Sequence, residues 1–121
     1  MLFLAELDHV KSGATLTPEA GRAFIEQVIF PTLARAEQLV AEKKILAGGA
    51  VVGRIALRFI VEADSSEEVD RLISSFPLWP VADTRVTPLI TFAERRNHVQ
   101  GLLESLARHS QQHAERGEKS P

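Results

Sequence analysis

The chain has 121 residues, 45% hydrophobic and 25% charged, with 14 Lys+Arg against 16 Asp+Glu and a net charge of −2. That length is one domain, or one domain with an appendage, and the composition excludes wholesale disorder and disfavours a basic nucleic-acid-binding module. The lack of cysteine excludes disulfides, thiolate metal sites and cysteine nucleophiles, and fits a reducing compartment.

Residues Met1–Leu7 read as a short buried strand, followed by a polar stretch from Asp8 to Thr15. The opening MLFLAEL is cut short by Glu6 and Asp8, so it does not read as a signal peptide. No run reaches the ~20 apolar residues of a membrane span. The expectation is a soluble, cytoplasmic protein with no membrane or nucleic-acid partner.

Thr17-Pro18-Glu19 starts a helix: Thr17 can cap free amides, and Pro18 suits the first turn. The helix should run to about Lys43, with Phe24, Ile25, Val28, Ile29, Leu33, Ala36, Leu39 and Val40 as its apolar face. Pro31 lies inside it and predicts a kink or a break, because its ring presses on the carbonyl of Gln27. Ile45–Val52 is an apolar, glycine-rich strand. Its run Gly48-Gly49-Ala50-Val51-Val52-Gly53 matches neither phosphate-loop pattern. Gly53-Arg54 suggests a tight hairpin or a bulge into a strand at Ile55–Glu62. There Ile55, Leu57, Phe59 and Val61 face one way, and Arg54, Ala56, Arg58 and Ile60 the other.

Ser65 and Glu68 match a capping box at the start of a second helix, striped by Val69, Leu72, Ile73 and Phe76 and stopped by Pro77. Val81–Thr87 is a fourth strand. Thr91 and Glu94 repeat the capping box before a third helix, striped by Val99, Leu102, Leu103 and Leu106. The division expected is a domain over residues 1–91, a helix over 92–112 that contacts a partner subunit, and a disordered tail over 113–121.

The order strand–helix–strand–strand–helix–strand is the ferredoxin-like α+β plan: four antiparallel strands with both long helices on one face. The bare second face needs a cover, and a second copy laid sheet to sheet supplies one.

The start MLF, the strand ending RFIVEA and the segment FPLWPVADTRVTPL, with Phe76-Pro77-Leu78-Trp79-Pro80 followed by Asp83, resemble muconolactone delta-isomerases over roughly residues 1–90. The resemblance implies a dimeric α+β barrel, higher oligomers built from such dimers, and cofactor-free proton transfer on a small lactone. Where the family has histidines, this chain has Leu4 and, after Gly53, Arg54, so the isomerase chemistry does not simply carry over.

Strand alternation gathers Glu6, Arg54, Arg58, Asp83 and Arg85 on one sheet face. Arg matches carboxylates in a bidentate fork, and a carboxylate in that setting can move a proton. Arg54, Asp83 and Glu6 are the candidate catalytic groups. Arg58, Arg85, Trp79 and Phe76 are the candidate substrate contacts. The alternative for the charged residues is a set of solvated ion pairs, and for Phe76 and Trp79 a place in the core. Glu26 and Glu37 read as a solvated helix face. His9, beside Asp8, reads as a surface histidine, and His98 carries no signal. His109 and His113 have the i, i+4 spacing of a metal clamp but no acidic partners, so no metal site is expected. Three readings stay open: a cofactor-free isomerase on a small acidic or lactone-like molecule, a non-catalytic binding protein, and an accessory oligomer.

Overall fold

The computed structural model describes residues 1–10 and 16–117, with side chains to residue 112. Its elements are β1 (Leu2–His9), α1 (Pro18–Phe24), a π-helical turn (Ile25–Ile29), α2 (Phe30–Ala41), β2 (Ile45–Ala50), β3 (Ala56–Glu62), α3 (Ser66–Ser74), a 3₁₀ turn (Trp79–Val81), β4 (Ala82–Leu89) and α4 (Phe92–Gly117). The four strands form one antiparallel sheet in the order β2-β3-β1-β4. This is the expected ferredoxin-like α+β arrangement.

Alternation along β1 and β3 decides the two faces of the sheet. Phe3, Ala5 and Leu7 on β1, with Leu57, Phe59 and Val61 on β3, are buried. They form one core with Leu39 of α2, Val69, Leu72 and Ile73 of α3, and Phe76 and Leu78 beyond it. Within the first unit α2 and α3 therefore cover the same face. On the open face Leu2, Leu4, Glu6 and Asp8 of β1 lie beside Arg58 and Ile60 of β3.

The chain does not break at Pro31. The π-turn stands just before it, and the Phe30 amide donates to the Ile25 carbonyl five residues back. This widened turn relieves the backbone where a proline ring would press on the preceding carbonyls. Of the expected apolar face, Leu39 is buried and Phe24, Val28, Leu33 and Ala36 pack on the core, whereas Ile25 and Val40 are exposed.

Both capping boxes form. At α3 the Ser65 Oγ accepts from the Glu68 amide (3.2 Å), and Glu68 Oε2 accepts from the amide of Asp64, one residue earlier than the ideal box (2.8 Å). At α4 the bonds are reciprocal between Thr91 and Glu94, at 3.0 and 3.3 Å. A positive φ at Gly53 (85°) turns the β2–β3 hairpin. The bulge lies elsewhere, between Ile45 and Ala47.

The chain separates into two compact units, Met1–Leu89 and Ile90–Pro121. The helix of the second runs to Gly117, five residues into the segment expected as a tail; residues 118–121 lie outside the described ones. Its stripe of Val99, Leu102, Leu103 and Leu106 is exposed. Among the described residues no helix is long and apolar enough to cross a membrane.

Candidate functional site

The antiparallel register builds the site in two rows on the open face. Glu6 lies between Arg58 on β3 and Arg85 on β4; two residues on, Asp8 lies between Ala56 and Asp83. Arg54 reaches the second row from the β2–β3 turn. The strand β1 runs to His9 rather than ending at Leu7, and this extension puts Asp8 on the site face. The sequence alone places Asp8 in the polar stretch after the strand. The signal that finds it is the continued alternation Leu2, Leu4, Glu6, Asp8.

Ion pairs cross-link these rows. Arg58 holds Glu6 through Nε at 3.2 Å and Asp8 through Nη2 at 3.1 Å, and Arg54 Nη2 holds the same Asp8 oxygen at 2.9 Å. Arg58 Nη1 also donates to its neighbour's carbonyl, that of Leu57, at 2.9 Å. Two cations thus converge on Asp8. Asp83 and Arg85 form no ion pair among the described residues, and both are exposed.

These residues line one open groove of about 970 Å³, in which Glu6, Asp8, Arg54, Arg58, Asp83 and Arg85 are joined by His9 and Gly53. The His9 ring rests 4.8 Å from that of Phe24, a contact between a groove residue and α1.

The two aromatic candidates are placed elsewhere. Phe76 is a core side chain, 1% exposed, with its ring 5.5 Å from that of Phe59. Trp79 lines a separate cavity of about 250 Å³ with Phe3, Val69, Ile73 and Val86, on the covered side of the sheet. The FPLWP segment turns the chain from α3 into β4: the Trp79 and Val81 amides donate to the carbonyls of Phe76 and Leu78. The buried Thr32 hydroxyl accepts from the Leu78 amide (3.0 Å) and fastens this turn to α2. The described residues hold no cluster of three or more His, Asp or Glu that could bind a metal ion. The side chain of His113 lies outside the described ones, so the His109–His113 pair is not placed.

The family model for muconolactone delta-isomerase matches residues 1–95. The chain belongs to that family. Among solved structures, muconolactone isomerase is similar at 25% identity over 75% of this chain and 90% of that one, with a TM-score of 0.59. A 5-chloro-2-hydroxyhydroquinone dehydrochlorinase from Burkholderia phenoliruptrix AC1100, solved with 2,5-dihydroxybenzoquinone, is 23% identical over 78% of this chain and 98% of that one, with a TM-score of 0.57, a likeness of fold. No curated protein matches the chain in a sequence search. The family match spans every residue of the groove and ends within the first turn of α4.

Proposed function

We propose that this protein is a proton-transfer catalyst of the isomerase or lyase type, acting on a small carboxylate or lactone with its own side chains as proton carriers. One observation carries the reading: three guanidinium groups and three carboxylates of the first unit line a single groove. Arg85, free of ion pairs among the described residues, suits a substrate carboxylate, which a guanidinium binds through two parallel hydrogen bonds. Asp83 is the carboxylate available as base. It takes a proton from a carbon next to the substrate carbonyl, the C–H electron pair passes into an enolate, and Arg54 at the mouth of the groove stabilises the enolate oxygen. Return of the proton to a different carbon completes an isomerisation; departure of a leaving group from the enolate completes an elimination. Arg58 holds Glu6 and Asp8 and fixes the groove wall. The two structural neighbours are named for an isomerisation and for loss of hydrogen chloride, and both need a proton taken from the substrate.

The same reading has the protein work in the cytoplasm as a homodimer or higher oligomer, with a second copy laid over the open face where Leu2, Leu4 and Ile60 continue the groove as an apolar strip. The exposed stripe of α4 is a further surface for such an assembly. The test is turnover of a muconolactone-type substrate, with solvent-deuterium incorporation followed by NMR. Wild-type turnover that falls about a hundredfold in Asp83→Asn and in Arg54→Ala supports the catalyst, a loss typical of removing a general base or an oxyanion-stabilising group. Ligand binding without turnover or exchange at any pH leaves the second reading, a binding or accessory protein, which Leu4 and Arg54 at the family's histidine positions favour.

A further inference from the structure

The edge strand β2 leaves a gap beneath α2. Gly48 and Ala50 stand opposite the buried Phe59 and Leu57 of β3, so their positions face the helix-covered side. One has no side chain and the other a single methyl. Gly48 cannot carry more, because a Cβ there would collide with the Arg58 carbonyl and the Phe59 backbone. Across the gap α2 presents Leu33, Ala36 and Val40, of which Ala36 is again small. What remains is a cavity of about 310 Å³, walled also by Ile45, Leu57 and Phe59, and its charged lining residue, Glu37, is exposed. A second cavity, of about 170 Å³, continues it: Leu33, Ala50 and Leu57 line both. Ile29, Leu78 and Thr32 complete much of its wall, and the Thr32 hydroxyl there is engaged by the Leu78 amide. Arg54 and Ile55, in the turn that ends the β2–β3 hairpin, line this second cavity and the charged groove alike. The two faces of the sheet thus communicate around its end.

We propose that the groove and these two cavities form one continuous site, and that its ligand is amphipathic: a carboxylate or lactone held among the arginines, with an alkyl or aryl arm that runs past Arg54 and Ile55 into the space under α2. Protein interiors hold few voids larger than a water molecule, and the walls of an empty one forfeit their packing contacts. Two such voids in series, sharing walls with each other and with a charged groove, have the form of a ligand site: mostly apolar lining, with a few polar groups at one end to fix orientation. The sizes set the scale of the arm. An apolar cavity of about 150 Å³ accepts a benzene ring, so the smaller cavity takes one ring or a short chain and the larger extends it. Ile55 and Val40, 43% and 55% exposed, are apolar side chains left to water along this path, and an arm lying against them covers both.

The inference rests on the proposed function for the polar end of the ligand and adds the chemistry of the other end. It leaves Arg85 and Asp83 free for the substrate carboxylate and the proton. The arm then works as a positioning device. With one end on Arg85 and the other under α2, the carbons between them are held where the groove passes Arg54.

Calorimetric titration of the full chain with butanoate, hexanoate and octanoate tests this without turnover. Each CH₂ moved from water into an apolar cavity strengthens binding about fourfold. Octanoate is therefore expected to bind at least about tenfold more tightly than butanoate. Ala50→Phe puts a ring where the two cavities meet and is expected to bring octanoate down to the affinity of butanoate. On the wild-type protein, NMR contacts from the terminal methyl of octanoate are expected at Leu33, Ala36 and Phe59, a readout that does not depend on the variant folding. Equal affinities along the series, an undiminished gain in Ala50→Phe, or methyl contacts at Leu2, Leu4 and Ile60 on the open face overturn the proposal. Equal but measurable affinities sink the arm and leave the groove as a carboxylate site. Length-dependent binding without turnover of any lactone sinks the catalyst and leaves the arm site standing, so the two failures are distinguishable.

Discussion

Arg58 stands opposite Glu6 in the β1–β3 ladder yet bonds as closely to Asp8, two residues further along, 3.1 Å from its Nη2. One guanidinium therefore ties two successive acidic positions of β1 to β3, and Arg54 adds a second hold on Asp8. In Arg58→Ala the two carboxylates lose their common partner. The three groups are partly exposed, and such ion pairs contribute about 0–1 kcal/mol each. Urea unfolding should thus show a loss of no more than about 2 kcal/mol. Calorimetric titration with a small carboxylate should show affinity lower by about tenfold or more, the scale of one charge-assisted hydrogen bond. Unchanged affinity would separate Arg58 from the groove's function.

The backbone beneath this arginine makes a sharper prediction. Gly48 adopts φ 131°, and a Cβ there would collide with the Arg58 carbonyl and with the Phe59 backbone, whereas a Cβ on Gly49 meets nothing within 4 Å. Gly48→Ala should destabilise by about 2 kcal/mol or more, combining strain at positive φ with a backbone clash. Gly49→Ala should shift the urea midpoint little, and equal shifts in the two variants would contradict the assignment.

Thr32 is a buried polar side chain, 2% exposed, and its Oγ1 accepts the Leu78 amide. Thr32→Val keeps the shape and leaves that N–H without an acceptor, a loss of about 1–3 kcal/mol. Thermal unfolding reads it, and Thr32→Ser, which keeps the oxygen, should recover part of the loss.

Acid stability follows Glu68. The Asp64 amide, then the hydrogen bond from Lys44, hold its carboxyl below the usual carboxylate range near 4.5. A folded-state pKa below the unfolded one adds stability that is fully present above the unfolded value and is lost as pH falls through the folded one. Unfolding free energy should therefore decline below about pH 4.5 and flatten only at lower pH. Glu68→Gln should weaken that slope, since it cannot bind the proton; an identical acid limb in the two proteins would count against it.

Much of the fold was legible because period and caps agree. The alternation of β1 and β3, Thr17 before Pro18, and the two boxes at Ser65 and Thr91 each mark an element locally. The groove followed from strand period for Glu6, Arg58, Asp83 and Arg85, whereas Arg54 joins it from the turn before β3. What escaped depended on neighbours. Asp8 looks like loop because its strand partners, Ala56 and Asp83, are distant in sequence and add no local signal. Phe76 and Trp79 share one motif but part company, since the turn after α3 sends the first inward to Phe59 and leaves the second at the rim of another cavity. Pro31 promised a break only if the preceding turn stayed α-helical.

That widened turn also bears on how this protein can change length. A π-turn holds one residue more than the α-helical path it replaces, so α1 and α2 are offset by one position, about 100° of rotation. Loss of a single residue within Ile25–Ile29 would return an ordinary helix with Phe24 and Leu39 both still facing the sheet. Loss of one residue anywhere between Leu33 and Leu39 would instead turn Leu39 out of the core. The segment before Pro31 is thus the part of this helix where descendants can gain or shed a residue while the sheet, and the groove on its far side, keep their geometry.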